Sequence, residues 1–166
     1  MHDVMIWRKD TLNFPDSTRY GNCFEYMFIL SKGKPKTINK ICDRKNKWSG
    51  TALHGTSRKS DGTTFRKANH NKGTVKEYGA RFNVWDIPTE KNNKTGHPAV
   101  FPIQLVSDQI LSWSNVGDVV LDCFIGSGTT AIACIKNKRH FIGFDISQEY
   151  CEIAKRRINE QINIEQ

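Results

Sequence analysis

Between Gly117 and Ile146 the chain reads GDVVLDCFIGSGTTAIACIKNKRHFIGFDI, and this run restricts the fold more than any other stretch. Val119-Val120-Leu121 is apolar and β-branched, the composition of a short buried parallel strand, and it ends at Asp122. A tight turn is predicted through Phe124, Gly126, Ser127 and Gly128. Thr129–Lys136 then has helical spacing, and Asn137-Lys138-Arg139 closes it with a cationic last turn. His140–Phe144 is a second strand, which delivers Asp145 to its C-terminal end, 23 positions after Asp122. In doubly wound sheets such a unit sets a nucleoside-type cofactor over the strand ends, where the second carboxylate accepts hydrogen bonds from ribose hydroxyls.

The loop narrows the choice of cofactor. A dinucleotide fingerprint needs a third glycine where Ala131 stands, a replacement that is tolerated, so this objection is weak. A P-loop needs Gly-Lys-Ser/Thr, but Gly128 is followed directly by Thr129, which argues against ATP. Asp122, just before the turn, would repel a pyrophosphate and suits an amino-acid ammonium. S-adenosylmethionine carries a nucleoside at one end and an amino acid at the other.

Three motifs in order carry a family resemblance over roughly residues 97–160. Asp122–Thr130 resembles the cofactor loop of the DNA amino-methyltransferases, which modify adenine N6 or cytosine N4. His97-Pro98-Ala99-Val100-Phe101-Pro102 with Leu105 resembles the segment these enzymes place before that loop. Gly143-Phe144-Asp145-Ile146, then Glu149-Tyr150, Ala154 and Arg157-Ile158, resemble their ribose-binding strand and following helix. Cys123 departs from the family, which often has proline there. The resemblance implies a cofactor site built by Asp122, Phe124, Gly126, Ser127, Gly128 and Thr129, with Asp145 and Ile146 on the ribose side. His97, Pro98 and Phe101 are expected to close over the methionine end.

Nearer the N-terminus, Val4–Trp7 and Phe24–Leu30 read as strands, and Trp7, Lys9, Phe24-Glu25-Tyr26 and Ser31-Lys32-Gly33 match the far edge of the family's catalytic sheet. Phe82–Ile87 reads as a further strand, with Trp85 expected to pack rather than to contact a ligand. Pro102 opens a helix whose stripe is Ile103, Leu105, Val106, Ile110 and Leu111, and Ser147 caps the last helix. Arg156-Arg157 is expected to be a solvated cationic end.

Charge is distributed unevenly. The formal net charge is +8; residues 1–96 carry +10 of it and residues 97–166 carry −2. Lys34–Asn93 is polar and basic, with no sustained period of 3.6 or 2. Its cationic clusters, Arg44-Lys45-Asn46-Lys47-Trp48, Arg58-Lys59 and Arg66-Lys67, are the residue types that contact phosphates and bases. The resemblance places the target-recognition region here, so double-stranded DNA is the expected partner. The alternatives are a flexible linker and a merely solvated basic surface.

Five cysteines, none in a C-x-x-C pair, suggest reduced thiols and a cytoplasmic protein. Cys42, His54 and His70 fit no known zinc spacing, and no metal is expected. No apolar run approaches the ~18 residues of a membrane span.

One expected motif is missing. The family holds the flipped base with a Pro-Pro-aromatic motif, yet among Pro15, Pro35, Pro88, Pro98 and Pro102 no two are adjacent. The order of segments resembles that of the permuted subgroup, in which this motif precedes everything seen here. The expectation is therefore the C-terminal part of a site-specific DNA methyltransferase, with a Rossmann-like α/β sheet left incomplete and no catalytic residue of its own. Residues 1–33 would form far-edge strands, 34–96 the basic recognition region, and 97–166 the cofactor subdomain. A separately encoded N-terminal half could carry the motif. A non-catalytic remnant binding DNA or cofactor is the alternative, and the sequence does not choose between adenine and cytosine.

Overall fold

In chain order, the computed structural model contains β1 (Asp3–Arg8), β2 (Phe24–Ile29), β3 (Arg44–Lys45), β4 (Thr56–Arg58), β5 (Thr64–Arg66), β6 (Tyr78–Gly79), β7 (Val84–Asp86), α1 (Ile103–Trp113), β8 (Val119–Asp122), α2 (Thr129–Lys136), β9 (His140–Gly143) and α3 (Gln148–Glu165). Residues 1–10, 17–53, 55–67, 72–90 and 101–165 are described. They divide into a larger unit, Met1–Ile41 with Asn83–Gln166, and a smaller one, Cys42–Phe82.

The larger unit holds two separate sheets. β1 pairs antiparallel with β2 and parallel with β7, Trp7 lying beside Trp85 across the second pairing. β8 and β9 form a parallel pair in register from Val119↔His140 to Asp122↔Gly143. Helix α1 serves both sheets because its apolar residues point two ways. Leu105 joins Met5, Trp7, Trp85 and Ile87 in one core, against which Met27, Ile29 and Trp113 pack. Ile110 joins Ala133 and Cys134 in a second core, covered by Ile103, Val106, Val120 and Phe141. Trp7 also donates its indole N–H to Ile87 O at 2.7 Å, so its one polar atom is satisfied inside the core. Trp85 packs, as expected from sequence.

The C-terminus of α1 is held from a distance. Arg139 donates to Ser114 O (2.7 Å) and Ser114 Oγ (3.1 Å), meeting carbonyl and hydroxyl acceptors where the helix ends. The same guanidinium donates to the carbonyl of Asn137, the C-cap of α2, at 2.5 Å, so one cation closes α2 as expected and also ties it to the end of α1. Residues 34–41 also belong with this unit: Asn39 donates its backbone N–H to Ser112 O (2.8 Å) and its amide to Ser114 O (3.0 Å).

Each sheet leaves one face uncovered. Met27 and Ile29 of β2 turn toward α1, while Tyr26 and Phe28 stack with ring centroids 5.8 Å apart and are 58% and 61% exposed. On the other sheet Val120 and Phe141 turn inward, and Val119, Leu121, Ile142 and Phe144 are exposed. Among the described residues β2 pairs only with β1, and β8 only with β9. An open groove of about 700 Å³ is lined by Phe28 and Ile29 of β2 with Leu30 beyond it, by Trp113 at the end of α1, and by Asn115 and Asp118 before β8. No helix among the described residues is long and apolar enough to cross a membrane.

Candidate functional site

Parallel pairing brings the C-terminal ends of β8 and β9 side by side, and with them Asp122 and Asp145. The glycine loop between β8 and α2 folds back onto β9: Ile125 N–H donates to Phe144 O (2.9 Å), and Phe144 N–H to Asp122 O (3.0 Å). This close approach is what requires Gly143, since a Cβ there would lie 2.1 Å from Ile125 Cδ1. Gly128 is required twice, because its φ is +87° and a Cβ would come within 3.0 Å of Ala154 Cβ on α3.

Both carboxylates brace the loop. Asp145 accepts from Gly126 N–H and from Ser147 N–H, each at 2.9 Å, one on each carboxylate oxygen. Asp122 accepts from Phe124 N–H (3.0 Å) and from Thr130 Oγ–H (2.6 Å). Each oxygen keeps a second lone pair for a ligand donor. Gly126, Ser127, Gly128 and Thr129 are buried, whereas Phe124 and Ile146 stand almost fully exposed beside the two carboxylates. The loop from Asp122 to Thr130 contains no Lys or Arg.

One contributor was not foreseen. Arg157 was expected to be solvated, but it is half-buried and donates to Ser127 O (2.5 Å) and Ser127 Oγ (2.9 Å). Burial lowers its pKa from the ordinary arginine value. With Ala154 one turn earlier against Gly128, it fixes the glycine loop to α3. Local helical spacing carried no signal of this, because the contact depends on where α3 lies against the loop. Arg157→Ala is expected to cost about 1–3 kcal/mol by leaving the Ser127 carbonyl unsatisfied. Thermal unfolding checks this against Arg156→Ala at the exposed neighbour, and equal melting of the two variants would show that the contact does not stabilise the loop.

His97 and Pro98 lie outside the described residues. Phe101 is described; its ring packs edge-on against Trp7, with centroids 5.9 Å apart. The five cysteines are free thiols. Cys134 is fully buried, and desolvation pushes its thiol up to about 11, so it is inert packing. Among the described residues no cluster of His, Cys, Asp and Glu suits a metal ion.

The smaller unit is built from pairs of very short strands, β3 with β6 and β4 with β5, with a separate isolated bridge between Ala52 and Thr74. Between Cys42 and Phe82 ten Lys and Arg stand against three Asp and Glu. Arg81 pairs with Asp43, whose carboxyl this hydrogen bond holds below the usual range. Arg44 donates to Ala80 O at 3.0 Å, and its guanidinium lies 4.4 Å from the Phe82 ring centroid, so it braces the unit. Lys45, Lys47, Arg58, Lys59, Arg66 and Lys67 are exposed, as is Trp48, with Lys47 Nζ 5.3 Å from its ring centroid.

Comparison with known proteins bears on both units. Residues 1–156 match the family model N6_N4_Mtase, described as DNA methylase. The chain is 51% identical over 170 residues to the orphan methyltransferase M.BamHII of Bacillus amyloliquefaciens, covering 98% of this chain and 63% of that protein. It is 29% identical over 162 residues to the DNA adenine methyltransferase YhdJ of Escherichia coli K12, covering 93% and 51%. Among solved structures, the M1.HpyAVI–SAM complex matches its mixed α/β fold with a TM-score of 0.61 at 26% identity, over 95% of this chain and 61% of that one. The chain thus spans between 51% and 63% of the length of these relatives.

Proposed function

The chain belongs to the N6/N4 DNA methylase family, and on that premise we propose that it supplies the S-adenosylmethionine site and the DNA-recognition surface of a site-specific DNA methyltransferase. The product would be a methylated exocyclic amine, adenine N6 or cytosine N4, in DNA within the cytoplasm. The observation that carries this reading is the pairing of Asp122 and Asp145 at adjacent strand ends around a glycine loop whose own residues include no Lys or Arg.

The donor set fits the cofactor. Asp145 has lone pairs left for ribose hydroxyls, and the exposed Ile146 beside it offers apolar surface to a base. Asp122 offers a carboxylate to an ammonium group, and the glycines leave backbone exposed where side chains would intrude. When bound, the sulfonium supplies an electrophilic methyl group; this chain's part is to hold and orient it. The smaller unit's exposed cations would neutralise DNA phosphates. His97 and Pro98 belong to the same proposed site by resemblance.

What the chain does not contain is the Pro-Pro-aromatic acceptor for the target base. We place that function outside these 166 residues, either in the same protein or in a separately encoded N-terminal half. The same absence favours a second reading, a non-catalytic protein that binds cofactor or DNA without transfer. Calorimetry is expected to show S-adenosylmethionine and S-adenosylhomocysteine competing for one site on the folded chain, with ATP failing to displace either. Displacement by ATP would contradict the cofactor reading.

A further inference from the structure

The β4–β5 hairpin is a two-stranded antiparallel ribbon whose two faces differ in chemistry. Its register sets Thr56 opposite Arg66, Ser57 opposite Phe65 and Arg58 opposite Thr64. Thr56, Arg58, Thr64 and Arg66 therefore share one face, and all four are exposed. Ser57 and Phe65 lie on the other. The turn is tightly specified: Gly62 has φ +85°, and Asp61 accepts from Thr63 N–H (2.8 Å) and Thr63 Oγ–H (2.7 Å). The carboxylate nearest in sequence is thus committed to the turn. Among the described residues no hydrogen bond or ion pair holds either guanidinium.

Two arginines on one face repel each other and gain nothing from this fold. Their arrangement suits a surface of acceptors outside it. The major groove admits a two-stranded ribbon, and arginine pairs there with guanine O6 and N7. We propose that the β4–β5 ribbon enters the major groove and reads guanine through Arg58 and Arg66, making these two residues determinants of the recognition sequence. This rests on the reading of the smaller unit as DNA-binding. Diagonal residues of a ribbon stand about 7–8 Å apart, roughly two base steps of about 3.4 Å each, so the two guanine positions should lie two or three base pairs apart. Threonine beside each arginine leaves room for both side chains to extend.

The test uses the full chain fused to a solubilising carrier and a pool of random-sequence duplexes. Bound duplexes are expected to be enriched in two such guanines, and replacing either with 7-deazaguanine should weaken binding. Arg58→Ala and Arg66→Ala should each flatten one guanine position, lose roughly ten- to hundredfold in affinity for the selected duplex and cease to discriminate 7-deazaguanine there. If the variants instead weaken all sequences equally and lower the salt slope by about 0.9 each, the arginines contact phosphates and the inference is overturned. Unchanged selection would overturn it too. If the unmodified chain shows no salt-dependent binding to any duplex, the DNA-binding reading itself fails.

Discussion

Asp145→Ala is expected to abolish measurable cofactor binding in calorimetry, or at least to weaken it by about 30-fold. Losing a charged acceptor for the ribose hydroxyls costs on the order of 2 kcal/mol, and each 1.4 kcal/mol is about tenfold in affinity. The structure adds a second penalty. Asp145 also accepts from Gly126 N–H and Ser147 N–H, so alanine strands two donors, one of them on a buried residue. Asp145→Asn separates the two effects. Its amide oxygen can satisfy one N–H while its NH2 faces the other donor, so the chain should melt between the parent and the alanine variant while cofactor affinity still falls about tenfold or more. Unchanged affinity in a folded Asp145→Ala chain would remove Asp145 from the site.

That dual role illustrates what sequence reading reaches. β8 and α2 were legible with their bounds, because a switch from β-branched run to glycine turn to helical spacing is a local signal. The juxtaposition of Asp122 and Asp145 followed from the same unit. The clasp of Asp145 on Gly126 did not, since it is made only when β9 lies beside the loop. Arg157 was missed for the same reason, since it lies in a cationic run that looks solvated and finds carbonyl and hydroxyl acceptors on the loop; Arg139 was legible as the close of α2, but its reach to Ser114 was not. The basic stretch hid β3, β4, β5 and β6 because strands of two or three residues are too short to show a period. β7 was readable as a strand, but its parallel pairing with β1, almost eighty residues earlier, was not.

Apolar surface and strand edges in the larger unit bear on how the chain behaves by itself. Among the described residues the larger unit has a three-stranded and a two-stranded sheet, with β2 pairing only with β1 and β8 only with β9. Tyr26 and Phe28 on one side, and Leu121, Ile142 and Phe144 on the other, leave apolar surface in water. Unpaired strand edges beside apolar faces favour association. The chain by itself is expected to aggregate at concentrations where relatives of full length stay dispersed, and a polypeptide supplying strands to both edges should suppress this. Light scattering with and without such a polypeptide reads the effect.

The most direct measurement is transfer of a tritiated methyl group from S-adenosylmethionine to mixed-sequence DNA. It compares this chain alone with this chain plus a polypeptide bearing a Pro-Pro-aromatic motif. The chain alone should transfer nothing above background, and the pair should transfer to adenine N6 or cytosine N4, with Asp145→Ala silencing the pair. Robust transfer by the purified chain alone would contradict this account, since the target base would then be held by residues given no catalytic part here.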